Sequence, residues 1–126
     1  MVMKLIDSIS VAELMGMAKK MPQKHKINRK KWASFSFNEQ MGNIGSEVGR
    51  TFSAQKRSDS QGAWAATVRA LDLFDATVSS PKLSAPRRRE ILRAKEEYLD
   101  SISKKNKQTG VENYFMQFAI AARLAK

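Results

Sequence analysis

Apolar residues recur three or four positions apart along most of the chain, and no stretch alternates with a period of two over the length of a strand. That rhythm predicts helices, and the three prolines and the polar breaks divide them. Ser10 can cap a short helix over residues 11–21, where Val11, Leu14, Met15 and Ala18 share a face before Pro22. A connector, PQKHKIN, follows over residues 22–28. The next helix is predicted to begin at Asn28 or Arg29 and to continue without a break to Lys56. Phe37, Met41, Ile44, Val48 and Phe52 step along it by four, three, four and four. Beyond the polar break at residues 57–62, a third helix is predicted over residues 60–78, burying Trp64, Val68, Leu71, Phe74 and Val78. Ser84 is placed to cap a fourth, with Pro86 in its first turn, where a missing N–H does no harm. Its predicted inner face is Ile91, Leu92, Tyr98, Leu99 and Ile102. Residues 104–110 (KKNKQTG) read as a hydrophilic loop. The last helix, over residues 111–125, turns Val111, Phe115, Phe118, Ala122 and Leu124 inward.

The expected fold is therefore all-α: an antiparallel four-helix bundle over residues 29–126, preceded by a basic extension over residues 1–28 with its own short helix. Gly42, Gly45 and Gly49 lie beside the apolar stripe of the long helix. Each costs about 1 kcal/mol relative to Ala in a helix interior. Close approach of a neighbouring helix is the natural compensation.

A chain of 126 residues with 42% hydrophobic content can build one packed core. Lacking cysteine, it has neither a disulfide framework nor a thiolate metal site, which fits a reducing cytoplasm. No apolar run approaches the roughly 20 residues that span a bilayer, and residues 1–6 do not form a signal peptide.

Candidates for catalysis are few. His25, the single histidine, has no nearby carboxylate to orient it and no ligand partners at helical spacing. Asp72 and Asp75 can share a helix face, as can Glu96 or Glu97 with Asp100. Without a Glu-x-x-His pair they read as surface charges, with Arg69–Asp72, Arg93–Glu97 and an Arg89–Glu90 grouping as ordinary pairings. The spaced glycines lack the Lys-Ser/Thr ending of a phosphate loop and the strand before a dinucleotide fingerprint. Glu47 and Arg50 can pair on the surface or anchor a helix contact. The expectation is a protein with no enzymatic activity and no cofactor or metal.

Charge changes the picture most. Lys and Arg number 23 against 12 acids, a net charge of +11. Between residues 14 and 38 there is no acid, while Lys19, Lys20, Lys24, Lys26, Arg29, Lys30 and Lys31 are all positive. A second cluster joins Arg87, Arg88, Arg89, Arg93 and Lys95. A third, Lys104, Lys105 and Lys107, stands at the other end of that helix, and Lys56-Arg57 is a smaller fourth. Phosphates are the ligand such clusters suit. Each neutralised phosphate releases a counterion, and arginine grips phosphate with two parallel donors. Trp32 and Phe35, beside the first cluster, are candidates either for stacking on bases or for the core.

Asn43-Ile44-Gly45-Ser46-Glu47-Val48-Gly49-Arg50, then Trp64 and Arg69-Ala70-Leu71-Asp72-Leu73, then Arg88-Arg89-Glu90-Ile91-Leu92-Arg93 and Tyr114-Phe115-Met116-Gln117-Phe118-Ala119 carry a resemblance. Over roughly residues 33–122 the chain resembles the small bacterial four-helix-bundle proteins encoded in intervening sequences of 23S ribosomal RNA genes. That family includes the accessory variability determinant of diversity-generating retroelements. The resemblance implies a basic homo-oligomer, in that relative a pentamer, which binds nucleic acid and a reverse transcriptase and supports mutagenic cDNA synthesis. The extension over residues 1–28 departs from the pattern.

From the residues alone, the expected partner is the backbone of RNA or DNA, bound by the three basic clusters. A protein–protein adaptor docking on an acidic partner is the alternative. Peripheral membrane binding by residues 11–31 ranks below both, because that face has no aromatic before Trp32.

Overall fold

The computed structural model describes residues 27–125. They form five α-helices: α1 (Arg29–Ser34), α2 (Phe37–Lys56), α3 (Ser60–Val78), α4 (Ala85–Ser103) and α5 (Gln108–Leu124), with a 3₁₀ turn, Lys105–Lys107, before α5. There is no strand among the described residues, and the architecture is the all-α bundle expected. The short helix expected over residues 11–21 lies outside the described residues.

The helices begin where side chains satisfy their free amides. Asn28 caps α1, Asp59 caps α3 and Ser84 caps α4. Ser36 and Glu39 form a reciprocal capping box at the start of α2. That box corrects the expectation of one continuous helix from residue 29 to 56. Phe35 is extended (ψ 146°), its N–H closing on the Trp32 carbonyl, and the chain starts afresh at Ser36. At the far end of α2, Ser58 adopts φ 56°, a left-handed conformation that usually selects glycine. The Asp59 N–H reaches back to the Ala54 carbonyl at 2.8 Å and closes the turn.

The four long helices run alternately up and down. α2 packs against both α3 and α5, and α4 closes the bundle against the same two helices. Met41, Ile44, Val48 and Phe52, all predicted, are fully buried along α2. Phe74, Ile91, Tyr98 and Phe115 meet them, with Phe74 within about 6 Å of both the Tyr98 and Phe115 rings. The glycines do bring α2 and α5 together at two of their three positions. A Cβ on Gly45 would stand 2.7 Å from the Phe115 Cβ, and one on Gly42 would stand 3.2 Å from the Ala119 Cα. At Gly49 the nearest atom would be 3.8 Å away, so that glycine has no such reason.

The inner face of α4 differs from expectation. Ala94 and Ser101 are buried with Ile91 and Tyr98, whereas Leu92 and Leu99 are 42% and 38% exposed. Residues 104–110 are not a loop either. α5 starts at Gln108, a buried amide that donates to Gln55 Oε1 (2.9 Å) and to the Ser101 carbonyl (3.0 Å). Leu124, expected inside, is 81% exposed.

Candidate nucleic-acid interface

The up-and-down order decides where the basic clusters stand. α1, the start of α2, the end of α3, the start of α4 and the end of α5 all lie at one end of the bundle. Two cross-links mark it. The Trp32 Nε1 donates to Thr77 Oγ1 at 3.0 Å, and the Arg87 guanidinium lies 4.1 Å from the centroid of the Phe37 ring. Arg29, Lys30 and Lys31 therefore share an end with Arg87, Arg88 and Arg89, more than fifty positions away in sequence. Lys104, Lys105 and Lys107 stand at the opposite end, near Lys56 and Arg57.

The side chains are not equivalent. Arg29 pairs with Asp75 at 2.9 Å. Arg87 stacks on Phe37 and reaches Glu90 at 3.8 Å. Arg88 points back to the end of α3, donating from Nε to the Val78 carbonyl and from Nη2 to the Ser80 carbonyl, both at 3.2 Å. It satisfies carbonyls that the helix leaves open. Lys30, Lys31, Arg89 and Arg93 are exposed and make no ion pair with any described residue. These four, with Lys95 beside them and Lys56 at the opposite end, present positive charge with no described ion-pair partner. Lys19, Lys20, Lys24 and Lys26, and with them His25, lie outside the described residues.

At the far end Lys104 and Lys107 are engaged. Lys107 Nζ lies 2.6 Å from Asp100 and 3.9 Å from Glu97, and Lys104 lies 3.2 Å from Asp100. The hydrogen bond from Lys107, then that from Lys104, holds the Asp100 carboxyl below its usual range, and the same contacts raise the Lys107 ammonium. A phosphate arriving there competes with carboxylates already in place.

The expected acidic pairings are also redrawn. Glu47, only 12% exposed, bridges Arg50 (2.9 Å) and Arg69 of α3 (3.0 Å), so the Glu47–Arg50 pair is at once a surface pair and a helix anchor. Arg69 thus reaches across to Glu47 on α2. Glu90 accepts from Tyr114 Oη at 2.7 Å, leaving Arg89 without it. Burial and then that hydrogen bond push the Tyr114 phenol well above its ordinary range, so it stays a neutral donor. Trp32 is core: it is 7% exposed, with Phe35 edge-on at 5.7 Å. Neither is a free stacking platform.

Sequence reasoning missed a groove between α4 and α5. Its volume is about 720 Å³, and Arg89, Arg93 and Lys107 stand at its sides above Ala94, Val111 and Phe115. Arg89 and Arg93 are four apart and Gly110 opens the opposite wall, but the predicted loop over residues 104–110 concealed the helix that forms that wall. No group of three acidic or histidine side chains able to hold a metal occurs among the described residues, and no helix there is long and apolar enough to cross a membrane.

Fold and site together define a small helical bundle with a basic end. Comparison with known proteins gave no match to a family model, a curated protein or a solved structure.

Proposed function

We propose that this chain is a non-enzymatic accessory protein that binds the phosphate backbone of nucleic acid through the basic end of its bundle. One observation carries the reading: Lys30 and Lys31 on α1 and Arg89 on α4, far apart in sequence, stand exposed at one end, and Arg93 continues them to the middle of α4, with no described carboxylate paired to any of the four. Charges left unpaired on a chain already at +11 raise its self-repulsion, and a polyanion relieves it. The resemblance in sequence supports a finer form. There the nucleic acid is the template RNA of a diversity-generating retroelement, the protein partner is its reverse transcriptase, and the bundle works in the cytoplasm as a homo-oligomer.

The test is fluorescence anisotropy with a labelled oligonucleotide at several salt concentrations. Four released counterions make the affinity fall on the order of a hundredfold between about 50 and 200 mM salt. Exchanging Lys30, Lys31, Arg89 and Arg93 for Gln should flatten that slope while the helical signal stays intact. Absence of binding at low salt would overturn the reading and favour an acidic protein as partner. The retroelement form is checked by co-purification with a reverse transcriptase encoded beside this gene.

A further inference from the structure

The α4–α5 groove combines features that a mere basic surface does not need. Its lining includes the apolar, largely buried Ala94, Val111 and Phe115. Its charges are unevenly disposed. Glu90 is held by the Tyr114 hydroxyl and approached by Arg87, and Glu97 lies within reach of Lys107. Beside these partly engaged carboxylates, Arg89 and Arg93 stand one helical turn apart with no described ion-pair partner, Arg93 between Glu90 and Glu97 and Arg89 just before Glu90. Residues so spaced carry their side chains about 5–6 Å apart, close to the spacing of adjacent phosphates along a single strand. From Pro86 to Glu97 the groove follows α4 for about 16 Å, room for two or three nucleotides.

Gly110 supplies a second, independent observation. It lies in the first turn of α5. Unlike Gly42 and Gly45, it meets no neighbour: a Cβ there would have nothing within 4 Å. Helix packing does not require this glycine. What it does is leave the groove wall open.

We infer that the α4–α5 groove receives an unpaired base of a single-stranded nucleic acid, with the adjoining phosphates on Arg89 and Arg93. This rests on the nucleic-acid reading above and narrows it. A duplex keeps its bases stacked and paired and can offer only phosphates to the two arginines. A single strand can also lay a base against the apolar floor, a contact that a paired and stacked base cannot make.

The experiment compares a fluorescein-labelled twelve-residue oligo(dT), an abasic strand with the same number of phosphates, and a twelve-base-pair duplex. Wild-type protein should bind oligo(dT) more tightly than the abasic strand. Gly110→Leu fills the groove, and the open space and the gain in helix propensity both favour its folding. It should bring oligo(dT) down to the affinity of the abasic strand while abasic and duplex binding stay at wild-type levels. Gly110→Ala, a smaller intrusion, should fall between. Equal wild-type affinity for oligo(dT) and the abasic strand overturns the inference but leaves the backbone reading standing. So does a Gly110→Leu protein that binds like wild type. Failure of all three probes at low salt removes the backbone reading itself.

Discussion

Gly45 on α2 and Phe115 on α5 touch so closely that a single added carbon would stand 2.7 Å from the Phe115 Cβ. The β-carbon it would meet is fixed to the α5 backbone, so the clash cannot be relieved by rotating a side chain. The two helices would have to part.

Gly45→Ala should therefore destabilise the protein. Overpacking of about 1–3 kcal/mol outweighs the roughly 1 kcal/mol gained in helix propensity. Gly49→Ala, whose new carbon meets its nearest neighbour at 3.8 Å, should keep the propensity gain and stabilise. Urea midpoints should move in opposite directions. Equal shifts would mean that α2 and α5 are less tightly joined than described.

The two tryptophans should respond unequally to phenylalanine. Trp32 donates to Thr77 across 45 positions, and Trp32→Phe loses that bond along with packing. The buried Trp64 Nε1 has no partner among the described residues, so Trp64→Phe removes a donor that already costs about 1–3 kcal/mol. Thermal melts should show Trp32→Phe as the more damaging change by about 1 kcal/mol or more.

Within Arg87, Arg88 and Arg89 the roles should separate. Arg88→Ala removes the donor to the Val78 carbonyl and one of two donors to the Ser80 carbonyl, which keeps the Leu83 N–H, and should lower stability by about 1 kcal/mol. Arg89→Ala should leave the melt unchanged and weaken oligonucleotide binding. Replacing all three together would confound the two effects, so the single variants are the informative ones. A stable Arg88→Ala protein with weakened binding would reverse the assignment.

The Asp100–Lys107 pair gives the fold a pH dependence at both extremes. The lowered carboxyl of Asp100 contributes stability that is fully present above the ordinary carboxylate range and lost as pH falls through its depressed value. The raised ammonium of Lys107 contributes stability present below the ordinary lysine range and lost as pH rises through its elevated value. Both contributions are intact near neutrality. Asp100→Asn should lose stability there, and its difference from wild type should shrink toward acid and toward strong alkali. A difference independent of pH would show that the pair is electrostatically idle.

Much of this fold is legible in the sequence. α3 begins and ends where its apolar rhythm does, and Ser84 with Pro86 announces α4. The missed break at Phe35 had a readable signal, Ser36 followed three residues later by Glu39, which the continuous apolar stripe outweighed. Gln108 was hidden for a different reason. A buried glutamine looks like loop until its partners, Gln55 and the Ser101 carbonyl, arrive from two other helices. Leu92 and Leu99 were turned inward by hydrophobicity alone, although Ala94 and Ser101 fill the buried positions there. The candidate site was legible as residues and not as a place. Which basic clusters meet depends on alternating helix direction. Which arginines are uncommitted depends on carboxylates and carbonyls that only the folded chain brings near.

That alternation also governs how the protein can be handled. Residue 125 leaves the bundle at the end that carries Arg89, so a tag or surface tether fused just beyond it crowds the face it is meant to display. The reversal at Ser58 stands a full helix length away, about 28 Å along α3. A dye or anchor placed in that turn would report on a bound strand without standing in its path.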